Sequence, residues 1–387
     1  MVAIDPQDKA IEVSVLLPAL NEEVTIDTCI KKIKKVFFEK NISGEIIVLD
    51  SSSDRTGMIA RNNGAIVIRP AKSGYGNAYL EGFRHAKGRY IVMGDADNTY
   101  NFFDIPRFIE LLRTGVADLV IGSRFKGMII PHSMAPLHRY IGNPLLTTML
   151  NFVFHTNFSD SHSGFRGIRR SALEKLNLTS GGMEFASEML IQSARYRLTV
   201  AEIPITYYPR VSPSKLHSFA DGWRHVRFIL LVRPIPFLAL PGIFFAFIGF
   251  ALMGIFFLTG DIETSHLHSF ILSAFLLLGG VQGVFTGILI STYSTVHGYQ
   301  ERTRFMKKIM NYHSLEKFLI AGGSSIFFGV VIGAYIIHTW FASQFGTLSQ
   351  ISTAIVALLL IIIGMEIIFF SIFTSMMLLN ENSEGIQ

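Results

Sequence analysis

The chain has 387 residues, of which half are apolar and only 16% are charged, a composition too hydrophobic for a single soluble domain. The net charge of +5 is unevenly divided: up to Arg233 there are 29 Lys and Arg against 22 Asp and Glu, and beyond it 5 against 7. Two parts built for different solvents are implied, the single cysteine, Cys29, excludes an internal disulfide or thiolate metal cluster, and no nucleic-acid partner is expected.

Met1–Glu12 is polar and charged and lacks the basic, apolar, small-residue order of a signal peptide, so the first part is expected in the cytoplasm. Short apolar runs follow at Val13–Leu17, Glu45–Leu49, Ala65–Ile68, Tyr90–Met93 and Asp118–Ile121, each before a segment of helical period. This alternation predicts an α/β fold, a doubly wound, mainly parallel, Rossmann-like sheet, whose ligands bind beyond the carboxyl ends of the strands.

The residues just after each run carry the chemistry. Pro18, Asn21 and Glu22 follow the first, with Asn21 able to cap the next helix and Glu22 able to face a ligand. Asp50 ends the second, where a carboxylate can recognise a base or ribose hydroxyl, and Asp54 can cap a helix from Thr56. Lys72-Ser73-Gly74-Tyr75-Gly76 precedes a helix whose N-terminal amides an anion can approach. The fourth run ends in Asp95-Ala96-Asp97, two hard carboxylates that suit Mg2+ or Mn2+ bridging a diphosphate. Further on, Glu184 and Glu188 lie one helical turn apart, and Glu184 is a candidate for sugar recognition. Asp160, Ser161 and the histidines His132, His138, His155 and His162 match no helix-borne zinc pair or hydrolytic triad.

Leu216, Phe219, Ala220, Trp223, Val226 and Leu230 share one face of a predicted helix and His217, Arg224 and Arg227 the other, which reads as an interfacial helix on anionic headgroups. Pro234–Leu258, Ser269–Thr292, Phe318–Phe341 and Ile351–Leu379 are each long enough to cross a membrane, the last with Glu366 inside it. The loop His297–Lys317 carries Arg302, Arg304, Lys307, Lys308 and Lys317, which predicts a cytosolic loop and places the first part on the same side. Exposed apolar helix faces permit a homo-oligomer without requiring one.

The ordered set Pro18…Asn21-Glu22, Asp50…Asp54, Gly74-Tyr75-Gly76, Asp95-Ala96-Asp97, Gly122-Ser123-Arg124 and Ser163-Gly164-Phe165-Arg166 resembles family 2 glycosyltransferases of the GT-A fold. Within it, the four trailing spans and Glu202-Ile203-Pro204-Ile205…Arg210…Ser214-Lys215-Leu216 look like the polyprenyl-phosphate glycosyltransferases, relatives of dolichyl-phosphate mannose and glucose synthases. The resemblance implies residues 1–215 as a cytosolic GT-A domain, 216–233 as the interfacial helix, 234–380 as an all-α transmembrane domain of four helices and 381–387 as a cytosolic tail.

What it implies chemically is inverting transfer of a sugar, UDP-glucose being the first choice of donor, to undecaprenyl or dolichyl phosphate. Asp50 would then meet the nucleoside, with Pro18, Asn21, Glu22, Lys72 and Gly74 around the nucleotide. Asp95 and Asp97 would serve the nucleotide and the metal, and Arg124, Arg210, Ser214 and Lys215 the acceptor phosphate. Ser51-Ser52 departs from the usual Asp-Gly, and Thr99 stands where a metal-binding glutamine is common. Other donors are GDP-mannose, UDP-galactose or an N-acetylhexosamine nucleotide. A processive polysaccharide synthase would carry Gln-x-x-Arg-Trp after the domain, whereas Gln192-Ser193-Ala194-Arg195-Tyr196 comes before the Glu202 strand and lacks the tryptophan. A non-catalytic scaffold is the remaining alternative, against which Asp95 and Asp97 stand intact.

Overall fold

The structure, a computed structural model, describes residues 10–211, 218–259, 262, 266–346 and 350–384. The chain divides into two compact units, Met1–Phe228 and Ile229–Gln387.

The first unit is built on a seven-stranded sheet in the order β3-β2-β1-β4-β6-β5-β7. β1 (Val13–Ala19), β2 (Gly44–Asp50), β3 (Ile66–Ile68) and β4 (Tyr90–Met93) are mutually parallel. β5 (Leu119–Ile129) and β7 (Val200–Tyr207) are parallel to each other, and β6 (Arg166–Arg169) runs antiparallel between β4 and β5. β1 and β4 read as continuous apolar runs because helices cover both faces of the sheet, and Val13, Val15, Leu16, Leu17, Ile91 and Val92 have no exposed surface.

The helices α1 (Ile26–Glu39), α2 (Thr56–Asn62), α3 (Tyr75–His85) and α4 (Ile105–Thr114) follow β1 to β4 in turn. α1 buries Ile26, Cys29, Ile30, Ile33 and Val36, a stripe at spacings of three and four that holds it on the sheet. Cys29 is packing, as its position suggests, and burial pushes its thiol up to about 12. α4 ends at Gly115, whose φ of +84° turns the chain into β5. α5 (Asn143–Phe154), α6 (Arg170–Leu173) and α7 (Phe185–Arg195) complete the unit up to α8 (Ser218–Val232), inside which the division falls.

In α8, His225, Phe228, Ile229 and Val232 are buried, whereas Trp223 is exposed and Val226 and Leu230 are half-buried. Of the predicted apolar stripe, Trp223, Val226 and Leu230 are thus less buried than His225 and Phe228. Leu216 and His217 lie outside the described residues.

The second unit holds α9 (Leu240–Thr259), α10 (Leu267–Val296), α11 (Arg304–Ile309), α12 (Tyr312–Ala342) and α13 (Ile351–Glu384). Among the described residues four stretches are long and apolar enough to span a membrane: Ile235–Thr259, Leu267–Val296, His313–Ala342 and Ile351–Leu379. Glycines set the close crossings: a Cβ on Gly280 would lie 2.2 Å from the Ala246 nitrogen, and one on Gly364 2.6 Å from the Gly322 oxygen. The predicted tail from residue 381 continues α13 as far as Glu384.

Candidate active site

Because β1, β2, β4, β5 and β7 all point their carboxyl ends to one edge, the chain segments that follow them converge there. The antiparallel β6 adds its amino end to the same edge, with Arg166 opposite Met93.

Pro18 lies within β1, opposite Leu49. Asn21 does not cap α1, whose N-cap is Thr25. It adopts a left-handed φ of 51° and ties β1 to the loop after β2: its N–H donates to Ser52 Oγ at 2.7 Å, and its Oδ1 accepts from the Ser53 N–H at 2.9 Å. A short polar residue that tolerates positive φ fits this clasp better than a helix cap. Asp54 stands one residue ahead of Arg55, the N-cap of α2, and its Oδ1 accepts the Thr56 N–H at 2.9 Å. Asp50 Oδ1 accepts the Ser52 N–H at 3.0 Å, and its other oxygen occupies space that any Cβ at Gly57 would take, at 2.1 Å.

Lys72 is exposed on the loop ahead of α3. The expected anion cradle at Gly74 is partly occupied by protein: the Asn77 N–H donates to the Gly181 oxygen at 3.1 Å, and a Cβ at Gly74 would sit 2.3 Å from that oxygen. Glu188 does not join Glu184 in a shared acid site, since it accepts the Thr179 and Ser180 N–H groups at 3.0 and 2.9 Å. Glu184 keeps a buried Oε2 without a hydrogen-bond partner among the described residues.

The carboxylates after β4 form the electrostatic centre. Burial, and then the charge of Asp97, push Asp95 up to about 7, while the Tyr75 hydroxyl donates to it at 3.2 Å. Asp97 is buried, and its Oδ1 accepts both the Thr99 N–H at 3.1 Å and the Thr99 hydroxyl at 2.7 Å. Thr99 therefore orients the second acid. Arg210, past the end of β7, reaches back so that Nη2 lies 2.6 Å from Glu22 Oε1 and Nε 3.3 Å from Asp97 Oδ2. Among the described residues no group of three or more His, Cys, Asp or Glu side chains is arranged to hold a metal ion. The two carboxylates Asp95 and Asp97 fit Mg2+ or Mn2+ in the manner of sites completed by water and diphosphate oxygens.

Beside these acids a cavity of about 480 Å3 is lined by Arg124, Tyr207, Arg210, His162 and His225, by Ser133 and His138 on the segment leading into α5, and by Leu146 in the first turn of α5. Arg124 is held by Asp160, with Nε 2.7 Å from Oδ2 and Nη2 2.8 Å from Oδ1, and it lies 5.3 Å over the Tyr207 ring. Glu202 on β7 secures that loop by accepting the Ser159 N–H at 2.8 Å. Arg166 is a bolt, donating to the backbone oxygens of Ser161, Ser163 and Ala186 at 2.8, 2.8 and 2.7 Å.

His132, His138 and His162 do gather around this cavity, together with His225. Ser187 Oγ lies 2.9 Å from His225 Nδ1 and 3.5 Å from His162 Nε2. Burial, then His225, hold His162 well below the usual histidine range, so it stays neutral. Ser187 and His225 are absent from any motif, and only the fold brings them to the cavity wall. Ser214 and Lys215 lie outside the described residues.

Residues 14–177 match the family described as glycosyl transferase family 2, and 288–378 match the glycosyltransferase family 2 C-terminal transmembrane region. Among solved structures, glucosyl-3-phosphoglycerate synthase from Mycobacterium tuberculosis superposes with a TM-score of 0.48 at 24% identity, covering 57% of this chain and 79% of that one. The dolichyl-phosphate hexose transferase of Haloferax volcanii is 31% identical over 212 residues, 54% of this chain and 89% of that protein. The low-salt glycan biosynthesis hexosyltransferase Agl6 of the same organism is 40% identical over 367 residues, 94% of this chain and 88% of that protein. With similarity on that scale over nearly the whole length of a relative, the chain belongs to glycosyltransferase family 2: it is an integral membrane glycosyltransferase with an α/β catalytic domain followed by a helical membrane region.

Proposed function

We propose that the enzyme transfers a hexose, with glucose from UDP-glucose as the first choice, to a polyprenyl phosphate at the cytosolic face of the membrane, inverting the anomeric carbon. The observation that carries this reading is the position of Arg210, which pairs with Glu22 and Asp97 and also lines, with Arg124, the adjoining cavity. A carboxylate centre for a nucleoside diphosphate and a cationic wall for a phosphate thus share one side chain. The name of the Haloferax dolichyl-phosphate hexose transferase supports a lipid phosphate as acceptor.

An apolar acceptor chain also has a place to lie. The segment entering α5 presents His138, Gly142 and Leu146 to the cavity, while Leu137, Tyr140, Ile141 and Leu145 on its other side are more than half exposed, at 57, 70, 58 and 55%. Such a stripe suits the boundary of a bilayer. The basic residues between the second and third spans support a cytosolic active face.

A phosphate monoester has a second pKa near ~6, so the acceptor oxygen is already largely anionic at neutral pH and needs little help from a base. Arg124 and Arg210 hold that phosphate for back-side attack, and charge-assisted contacts fix its orientation. The acceptor oxygen bonds to the anomeric carbon as the bond from that carbon to the β-phosphate oxygen breaks, and the nucleoside diphosphate leaves. Asp95 and Asp97 would hold a Mg2+ or Mn2+, which would supply Lewis-acid neutralisation of the leaving group. Asp50 orients the nucleoside, and the clasp from Asn21 to Ser52 and Ser53 keeps that end in place.

The donor is tested with labelled UDP-glucose, UDP-galactose, UDP-N-acetylglucosamine and GDP-mannose offered separately with dolichyl or undecaprenyl phosphate, the product's anomeric configuration being read by NMR. Transfer from UDP-glucose with inversion supports the reading; transfer from another donor alone replaces glucose, and retention overturns the single-displacement chemistry.

A further inference from the structure

We infer that Arg210 closes the cation site by charge in the donor-free enzyme, so that the divalent cation enters together with a nucleoside diphosphate rather than ahead of it. The inference rests on the reading of Asp97 as a cation ligand, and it assigns Arg210 a second role besides contact with the acceptor.

The two oxygens of Asp97 are already divided. Oδ1 accepts two hydrogen bonds from Thr99, and Oδ2 faces the guanidinium of Arg210. The oxygen most open to a metal is therefore the one beside a fixed positive charge. A doubly charged ion placed there meets the guanidinium at a distance of a few ångströms in a partly dry environment, where like charges repel strongly. Asp97 and Glu22 hold either the arginine or the cation at low energy, and not both.

The arginine's own bonding is uneven. Nη2 makes a short contact to Glu22, but the buried Nε has no hydrogen-bond partner among the described residues and meets Asp97 only as a charge. A diphosphate offers what this arrangement lacks, because it brings negative charge for the cation and acceptor oxygens for the guanidinium together. The backbone need not move for the exchange. The Tyr208 N–H donates to the Thr99 oxygen at 2.9 Å and Tyr207 bridges to Tyr100, so the chain two residues before Arg210 is pinned to the loop that carries Asp97. Only the side chain has to turn, toward the cavity it already lines.

The test is binding of Mn2+ alone, followed by electron paramagnetic resonance of the free ion, to the full-length protein in detergent, with no nucleotide, with UDP or with GDP. Wild type should bind Mn2+ at least about tenfold more tightly with one of the nucleotides than without. Arg210→Gln should raise the nucleotide-free affinity at least about tenfold, and Arg210→Lys, which keeps the charge, should stay within a few-fold of wild type. Equal Mn2+ affinity of the wild type with and without nucleotide overturns the inference without recourse to any variant. So does an Arg210→Gln protein of normal melting temperature whose nucleotide-free affinity is unchanged or weaker. If the wild type binds no Mn2+ even when UDP or GDP is bound, the cation reading of Asp97 itself falls and takes this inference with it.

Discussion

Arg124 and Asp160 meet as a two-armed ion pair, at 2.7 and 2.8 Å, and the Arg124 backbone N–H donates to the same carboxylate at 3.0 Å. Asp160 has no exposed surface and Arg124 is 7% exposed, so this is a dry contact between β5 and the loop before β6. Removing one partner of a buried pair leaves an uncompensated charge and typically costs about 3–5 kcal/mol. Asp160→Ala should therefore lower the melting temperature of the solubilised protein by several degrees and abolish transfer, while Asp160→Asn should lose less of both. An unchanged melting temperature in Asp160→Ala would show that the pair is not holding the cavity wall.

A change outside the site tests Asp50. Adding a methyl group at Gly57 brings a Cβ to 2.1 Å from Asp50 Oδ2, which forces the carboxylate to turn without disturbing the sheet. Gly57→Ala should weaken binding of the nucleoside diphosphate about tenfold, with a small change in melting temperature. Calorimetric titration with UDP and GDP measures this, and unaltered affinity for both would remove Asp50 from the nucleotide site.

His162 gives a pH dependence of stability. Burial and His225 depress its folded-state pKa below the unfolded value near ~6.5. Below that value the unfolded chain gains a proton that the folded chain refuses, so stability is lost as pH falls through the window between the two pKa values. Thermal unfolding from about pH 7 to about pH 5 should show a steeper decline for wild type than for His162→Gln. Parallel curves would mean that His162 takes up its proton in the folded state without resistance.

Asp95 works in the other sense on the cation. Raised to about 7 by burial and by Asp97, it holds a proton below that pH in the metal-free protein. A cation has to displace that proton, so the Mn2+ concentration for half-maximal transfer should rise up to about tenfold per pH unit as the pH falls below about 7. A requirement that stays flat from about pH 8 to about pH 6 would contradict Asp95 as a ligand.

Much of this was legible in the sequence because it lies in local patterns. Tyr90–Met93 is an apolar run that became a strand with those same ends, and the four long apolar stretches became helices able to span a membrane. Asp95 and Asp97 follow their strand directly, so the parallel sheet fixes where they stand. What could not be read depends on residues far apart in sequence. Asp160 as the partner of Arg124 and Ser187 with His225 on the cavity wall are consequences of packing. Asn21 shows the opposite case: a residue type that caps helices was read as a cap, but its left-handed backbone ties two strand ends together instead. Glu188, one turn after Glu184, is a similar case, since it satisfies two loop amides that local spacing does not reveal.

Cation-dependent transfer of a sugar to a lipid phosphate is the reaction proposed at Asp95 and Asp97. It is tested most directly by incubating the purified, detergent-solubilised protein with labelled sugar nucleotides, dolichyl or undecaprenyl phosphate and Mn2+, then extracting the lipid, with Asp97→Ala in parallel. Label is expected in the lipid phase, disappearing on chelation and falling at least about a hundredfold in Asp97→Ala. Label that persists in Asp97→Ala, or lipid left unlabelled by every donor while the nucleotide binds, would contradict it.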